Sequence, residues 1–257
     1  MEIWDTLTTL PQLAFWEINI TSGATDTKAG WSQIVSGYTP EKTGIYSNGV
    51  YNPLPVGYSI FEKAEAYFPE VNTFLISGKG VHMGDFCVGE QTLCSGQPCA
   101  EPYGQPYCNM SDNIDNFQFD LRWGSIVLDT AKDYLLAHRD EFFVGMVVFR
   151  EPDVCGHVAG ENDAYYTWCI QESDRNTGEL LEYMKAIGIY DNTNIYIVSD
   201  HGFDEGSNRH GDAPHVFLGT NNPAVIRNGD RLDIAPTILD YYGIPNDTDG
   251  LPLSIIP

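Results

Sequence analysis

Two short polar segments contain residue types that bind divalent metal ions. In the first, Asp153 follows an apolar run over residues 142–149, and His157 comes four positions later, after Gly156. A carboxylate and an imidazole so arranged can bind one divalent cation. The same pair also fits an ordinary polar loop after a strand, so a metal site needs support from elsewhere in the chain.

A second Asp–His pair supplies that support. Asp200 and His201 directly follow another apolar segment, residues 194–199. If both apolar segments are parallel strands, their carboxyl ends meet at one edge of a sheet. Two sets of ligands at that edge predict a pair of metal ions, about 4 Å apart as in other two-metal sites.

A further histidine is needed to complete the first metal's coordination, and the chain offers His210 and His215. His210 lies in the segment 206–214, a predicted loop, whereas His215 begins the next predicted strand. We favour His210 because loops at strand ends carry ligands more readily than strands do. His215 remains the alternative at this stage.

Thr27 is the candidate nucleophile. It precedes a predicted helix over residues 31–36, and a hydroxyl at a helix N-terminus benefits from the helix dipole and free backbone N–H groups. Metal coordination would lower the pKa of the hydroxyl and activate it. The alternative is that Thr27 only caps the helix.

The order of predicted elements indicates the fold class. Strands alternate with helices in the C-terminal half, which predicts an α/β fold with a doubly wound, mostly parallel sheet flanked by helices. The predicted strands are 71–76, 142–149, 194–199 and 215–219. The predicted helices are 31–36, 58–67, 165–187 and 233–241, and 150–162 is a predicted loop. We expect one domain over residues 1–257, with a cysteine-rich insertion at about 81–119.

Four cysteines in the insertion bear on the cellular compartment. Cys87, Cys94, Cys99 and Cys108 fall in a segment rich in Gly, Pro, Gln and Ser. This clustering favours two disulfides, and therefore an oxidising, extracytoplasmic or secreted location. A structural zinc site is the alternative, although no C-x-x-C pair is present.

Charge and hydropathy exclude several classes of protein. With 36 acidic and 13 basic residues the net charge is −23, and such a surface repels nucleic-acid backbones. Apolar runs are too short for a transmembrane helix. The N-terminus lacks a signal-peptide pattern, so we expect either a cytosolic protein or a sequence that begins after a targeting segment.

Three segments together resemble the alkaline phosphatase superfamily, in particular its type I phosphodiesterase and nucleotide pyrophosphatase branch. Residues 151–157 (EPDVCGH) resemble the branch's Pro-Asp-x-x-Gly-His segment, and residues 198–203 (VSDHGF) resemble its Ser-Asp-His-Gly segment. Residues 27–37 resemble the nucleophile segment, in which a Thr precedes a Thr/Ser-Gly pair by nine residues. Residues 233–239 are similar to the closing helix, so the resemblance covers about 25–245.

The resemblance implies a role for each residue. Asp153, His157 and His210 would bind one zinc ion, Asp200 and His201 would bind the other, and Thr27 would bridge them as the nucleophile. The expected activity is hydrolysis of small-molecule phosphate esters, most readily phosphodiesters. Sulfatases share the fold but require Cys or Ser at the nucleophile position, so Thr27 argues against sulfate esters.

One departure from the family pattern concerns the start of the chain. The family begins with a strand ending in Asp, usually followed by Gly, which binds the second metal. Asp5 is too close to Thr27 for this role, Asp26 adjoins it, and the first strand is therefore expected to be missing. This leaves open a phosphomonoesterase or phosphomutase, and a non-catalytic binding protein of the same fold. The sequence does not indicate the oligomeric state.

Overall fold

The computed structural model describes residues 13–84, 93–94, 97–98 and 106–255. The strands, in chain order, are β1 (Ala14–Asn19), β2 (Asn72–Ser77), β3 (Leu93–Cys94), β4 (Gln97–Pro98), β5 (Asn116–Gln118), β6 (Phe143–Val148), β7 (Tyr196–Val198), β8 (His215–Thr220) and β9 (Gly229–Asp230). The helices are α1 (Thr27–Ser36), α2 (Pro40–Thr43), α3 (Ile60–Tyr67), α4 (Cys108–Ser111), α5 (Gly124–Ala137), α6 (Glu151–Ala159), α7 (Ala164–Ala186) and α8 (Ile234–Tyr241).

Seven of the nine described strands form two sheets. One is wholly parallel, in the order β5-β2-β6, and the other is mixed, in the order β7-β8-β1-β9. Of the five pairings within these sheets among the described residues, three are parallel and two are antiparallel. The predicted α/β fold with a mostly parallel sheet flanked by helices is confirmed.

Two hydrophobic clusters cover opposite sides of the parallel sheet, because successive strand residues point to opposite faces. On β2, Leu75 packs into a cluster with apolar residues of α1, α3 and α8. Its neighbours Phe74 and Ile76 pack into the other cluster, with α5 and α7. The near-continuous burial of β2 is the pattern expected of a parallel strand with helices on both faces.

A cavity of about 730 Å³ lies between β6 and β7. It is lined by Met146 and Val147 of β6 and by Ile197 of β7, and also by helix residues from both hydrophobic clusters, such as Ile34 and Leu181. The cavity therefore reaches from one helical layer to the other. Within the described residues, β6 pairs only with β2, and β7 only with β8.

One element prediction is wrong. Residues 150–162 were expected to form a loop, but α6 occupies Glu151–Ala159. Pro152 falls in the first turn, where its missing N–H is harmless, and the acidic residues Glu151 and Asp153 suit the positive end of the helix dipole. Gly156 is kept because a Cβ there would lie 2.5 Å from the Phe203 ring.

The other expected strands and helices are confirmed near their predicted bounds, and the structure adds elements that were not predicted. The longest of these are β1 and α5, and the shorter ones are α2, α4, β3, β4, β5 and β9. Strand β5 lies inside the predicted insertion yet pairs in parallel with β2. No helix in the described part of the chain is long and apolar enough to cross a membrane.

The disulfide that the structure shows is not one of those predicted. Cys155 of α6 is bonded to Cys169 of α7, and both residues are buried. Cys87, Cys94 and Cys99 have side chains outside the described residues, so the predicted pairings in the insertion stay predictions. The observed bond ties together the two helices that follow β6.

Candidate active site

Helix α6 places two of the predicted ligands on one face. Asp153 and His157 are four residues apart, a spacing that stacks side chains on the same side of a helix. His157 Nε2 lies 3.4 Å from Asp153 Oδ1. His157 Nδ1 lies 3.0 Å from the carbonyl oxygen of Asn208 and donates to it, which leaves Nε2 as the free lone pair.

His210 joins this pair and His215 does not. Asp153, His157 and His210 each offer one ligand atom, and these atoms all lie within 4.8 Å of one another. The His210 ring contacts that of His157 at a centroid distance of 5.0 Å. His215 is an exposed residue at the start of β8 and is not part of this cluster.

Asp200 and His201 are buried just beyond the end of β7. His201 Nδ1 lies 3.0 Å from the carbonyl oxygen of Gly202 and donates to it, so Nε2 faces the site as an acceptor. That nitrogen is 3.5 Å from Asp200 Oδ2 and 3.4 Å from Asp153 Oδ1. The His201 ring also stacks on that of His210, at 4.0 Å between centroids. His201 thus contacts residues of both predicted ligand sets.

Thr27 is not the helix cap. It is the first residue of α1, and Asp26 occupies the N-cap position. The Thr27 side chain is buried, and its Oγ1 lies 3.5 Å from His201 Nε2. The structure therefore brings the predicted nucleophile to the predicted metal ligands.

Sequence reasoning missed Lys79, which lies just beyond the carboxyl end of β2. Its Nζ is 2.6 Å from Asp153 Oδ2 and 3.4 Å from Thr27 Oγ1. Asn48 was also missed; its Oδ1 accepts the backbone N–H of Lys28 at the start of α1. Neither residue belongs to a pattern, and only the tertiary pairing of β2 with β6 reveals the position of Lys79.

The electrostatics of the cluster keep Asp153 ionised and His210 neutral. Burial opposes ionisation of Asp153, but the Lys79 ammonium together with His201 and His157 lowers the pKa of that carboxyl. Burial, with His201 and His157 nearby, lowers the pKa of His210. Burial and the positive charge of Lys79 lower the pKa of His82 to about 4. Anionic carboxylate and neutral imidazole are the forms that bind metal.

Whether these residues fit a metal ion can be judged from two buried carboxylate oxygens. Asp153 Oδ1 and Asp200 Oδ2 have no hydrogen-bond partner among the described residues. A buried charged oxygen without a partner is costly, and a bound cation would compensate it. Asp153, His157 and His210 therefore fit a metal ion. On the other side, Asp200 and His201 supply two protein ligands.

Arg231 and Gly30 hold the Asp200 segment against the Thr27 segment. Arg231 is fully buried, and its guanidinium donates to the carbonyl oxygens of Asp200, Ser22 and Ala24. A Cβ on Gly30 of α1 would lie 2.6 Å from the carbonyl oxygen of Asp200. The close approach of α1 to the end of β7 therefore requires glycine at this position.

Comparison with known proteins identifies the family. The family model for type I phosphodiesterase / nucleotide pyrophosphatase matches residues 17–243. Ectonucleotide pyrophosphatase/phosphodiesterase family member 3 of Mus musculus is 26% identical over 183 residues, which are 68% of this chain and 19% of the relative. The chain thus spans about a fifth of the length of that curated relative.

Solved structures share the fold at low sequence identity. A murine ectonucleotide pyrophosphatase/phosphodiesterase 5 matches with a TM-score of 0.63 and 11% identity, over 96% of this chain and 94% of that chain. A phosphonate monoester hydrolase of Agrobacterium radiobacter matches with a TM-score of 0.59 and 15% identity, over 97% of this chain and 71% of that chain.

Proposed function

We propose that this chain, which belongs to the type I phosphodiesterase / nucleotide pyrophosphatase family, is a metal-dependent hydrolase of phosphate esters that uses Thr27 as its nucleophile. The observation that carries the proposal is the position of Thr27. Its buried hydroxyl lies at the N-terminus of α1, 3.5 Å from His201 Nε2. That point adjoins the cluster of Asp153, His157 and His210.

The chemistry follows from that position. Thr27 Oγ attacks phosphorus, a P–O bond to Oγ forms, and the P–O bond to the alcohol leaving group breaks. The hydroxyl proton passes to water, and the leaving alkoxide takes up a proton. Water then attacks phosphorus and regenerates the Thr27 hydroxyl. The positive end of the α1 helix dipole stabilises the phosphoryl oxygens throughout.

Asp153, His157 and His210 would hold one metal ion, with Asp200 and His201 available to a second. Zinc suits this set, because imidazole and carboxylate ligands are its usual partners. When bound, the metal supplies Lewis acidity at the phosphoryl group. Histidine orientation is already fixed, since His157 and His201 each donate Nδ1–H to a carbonyl oxygen.

The proposed substrate is a small-molecule phosphodiester or pyrophosphate, acted on outside the cytoplasm. The family match supports the ester class. The Cys155–Cys169 disulfide supports an oxidising compartment. The net charge of −23 disfavours nucleic acid as a partner.

A non-catalytic binding protein is the second candidate. Asp200 and His201 offer two protein ligands, and a two-ligand site binds metal weakly. On this alternative, metal analysis would find fewer than two tightly held ions per chain and no ester would be hydrolysed. A phosphomonoesterase or phosphomutase would instead prefer p-nitrophenyl phosphate to bis-p-nitrophenyl phosphate.

The test compares Thr27→Ala with wild type on both substrates in the presence of zinc. Loss of the nucleophile should lower kcat by roughly a thousandfold or more. Acid-quenched wild type should carry one adduct on the Thr27 peptide, with the mass of a p-nitrophenylphosphoryl group from the diester and of a phosphoryl group from the monoester. Thr130→Ala on α5 makes the same chemical change elsewhere and should leave activity unchanged. Full activity in Thr27→Ala would refute the nucleophile assignment.

A further inference from the structure

We propose that Lys79 is a resident cation of the active site, which stabilises the Thr27 oxyanion and, by bonding Asp153, sets the affinity of the neighbouring metal position. The inference rests on the proposed function and adds to it a residue with two measurable effects. It follows from contacts of Lys79 that the phosphoryl-transfer chemistry described above does not use.

The position of Lys79 is fixed by the sheet. Strand β2 pairs in parallel with β6 in a register that sets Ser77 opposite Val148, so the segments after both strands emerge side by side. The backbone N–H of Lys79 donates to Ser77 Oγ, and its carbonyl oxygen accepts from the N–H of Asp120. These two hydrogen bonds fix the Lys79 backbone, and with it the position from which the side chain reaches the site.

The Lys79 side chain is 7% exposed, so its charge is poorly screened by water. Nζ donates to Asp153 Oδ2 at 2.6 Å and to Thr27 Oγ1 at 3.4 Å. Both partners are groups that the reaction uses. A purely structural ion pair would involve only the Asp153 carboxylate. The Lys79 ammonium also contacts Thr27 Oγ1, the attacking oxygen.

The contact with Thr27 has a direct chemical consequence. As the Oγ–P bond forms, the hydroxyl loses its proton and negative charge develops on Oγ. An ammonium already in place interacts more strongly with that charge than with the neutral hydroxyl, so it stabilises the transition state selectively. Such a group raises kcat and affects KM little.

The contact with Asp153 acts in the opposite direction on metal binding. Asp153 Oδ2 bonds Lys79 while Oδ1 faces His157. A divalent cation at that position would lie within a few ångströms of the ammonium, and like charges at this distance in a poorly screened site repel appreciably. Lys79 therefore weakens metal binding while it accelerates the reaction.

The test measures zinc affinity by chelator competition, and kcat for bis-p-nitrophenyl phosphate at saturating zinc. In Lys79→Met we expect zinc affinity to rise roughly tenfold and kcat to fall roughly a hundredfold. Lys132→Met, the same change in a surface ion pair with Glu179, should alter neither quantity. Lys79→Arg, which keeps the charge, should retain an affinity near that of wild type.

Two results would overturn the inference. Unchanged or weaker zinc binding in Lys79→Met would show that the ammonium does not oppose the metal. Tighter zinc binding with an unchanged kcat would show that Lys79 does not act on Thr27. If wild type hydrolyses no ester, the proposed function and the action on Thr27 both fail, yet the affinity comparison still decides the effect on the metal. Should Lys79→Met not fold, Lys79→Gln carries the same predictions.

Discussion

At the scale of residues, the site depends on which histidine completes the cluster on α6. His157 and His210 rings are in contact, and Asp153 Oδ1 faces His157 Nε2. All three ligands sit where a metal would satisfy an otherwise unpartnered carboxylate oxygen. The exposed His215 lies outside this set. The choice between His210 and His215 is therefore open to a direct experiment.

We expect His210→Ala to weaken zinc binding by about a hundredfold or more, because it removes a direct ligand and even second-layer partners cost 10–100-fold. His215→Ala is the matched control and should bind zinc like wild type. Chelator competition measures both affinities. Equal losses in the two variants, or a loss confined to His215→Ala, would transfer the ligand role away from His210.

The five predicted ligands could be found from sequence because each follows or faces the end of an apolar strand. Lys79 also follows an apolar strand, β2, but lysine is not a metal-ligand type, so a search for Asp and His ligands does not find it. Its role depends on the register between β2 and β6, which pairs residues 71 positions apart, such as Ser77 and Val148. Long-range pairing of this kind is set by the whole fold rather than by local pattern.

At the scale of elements, α6 is the part of the site that was wrongly predicted from local sequence. Pro152 and Gly156 are typical of loops, yet here Pro152 opens the helix and Gly156 admits the Phe203 ring. The Cys155–Cys169 bond then fastens α6 to α7 between the two ligands Asp153 and His157. We expect the rigidity of α6, and hence the positions of Asp153 and His157, to depend on this disulfide.

Removing that crosslink should affect stability and metal binding together. The bond closes a loop of 14 residues, for which chain entropy predicts a contribution of about 3 kcal/mol. We expect Cys155→Ala/Cys169→Ala to lower the free energy of unfolding by about this amount in denaturant titrations, and to weaken zinc binding. An unchanged zinc affinity would show that the disulfide is not needed to position the metal ligands on α6.

The break between β6 and β7 is the second element-scale feature. The cavity of about 730 Å³ lies between these two strands, and among the described residues β6 pairs only with β2 and β7 only with β8.

Amide exchange can locate that break. Strand β2 is paired on both sides, whereas β6 and β7 are each paired on one side among the described residues. We expect peptides covering β6 and β7 to exchange faster than the peptide covering β2, by hydrogen–deuterium exchange with mass spectrometry. Equal protection of β2 and β6 would mean that both edges of β6 are hydrogen-bonded in solution.

At the scale of the whole molecule, charge sets the approach of substrate. The net charge of −23 repels anionic esters at a distance, although the site itself gathers Lys79 and several histidines. Salt screens long-range repulsion, with a Debye length of about 10 Å at 0.1 M. Association should therefore become faster as ionic strength rises.

We expect kcat/KM for bis-p-nitrophenyl phosphate to rise several-fold between low salt and about 0.15 M, and to rise more for the doubly charged p-nitrophenyl phosphate. Kinetics at fixed zinc and pH measure this. A neutral co-solute at matched osmolarity is the control. A fall in kcat/KM with salt would indicate that local positive charge, not the net charge, governs approach.

The general fold could be read from the sequence because strand and helix periods alternate clearly after residue 142. The N-terminal half was less readable, since β1 and β5 are short strands held by tertiary pairing with β8 and β2. Helix α5, which follows the cysteine-rich segment in the sequence, was not predicted. The likeness to murine ectonucleotide pyrophosphatase/phosphodiesterase 5 over 96% of the chain supports the same overall architecture.

The most direct test of the central claim is a zinc titration of metal-free protein, followed by release of p-nitrophenol from bis-p-nitrophenyl phosphate. We expect no turnover of the diester without metal, and a rate of p-nitrophenol release that rises with the amount of bound zinc. We also expect that rise to be abolished in Asp153→Asn. Turnover that persists in excess chelator, or its absence at every zinc concentration, would contradict the central claim.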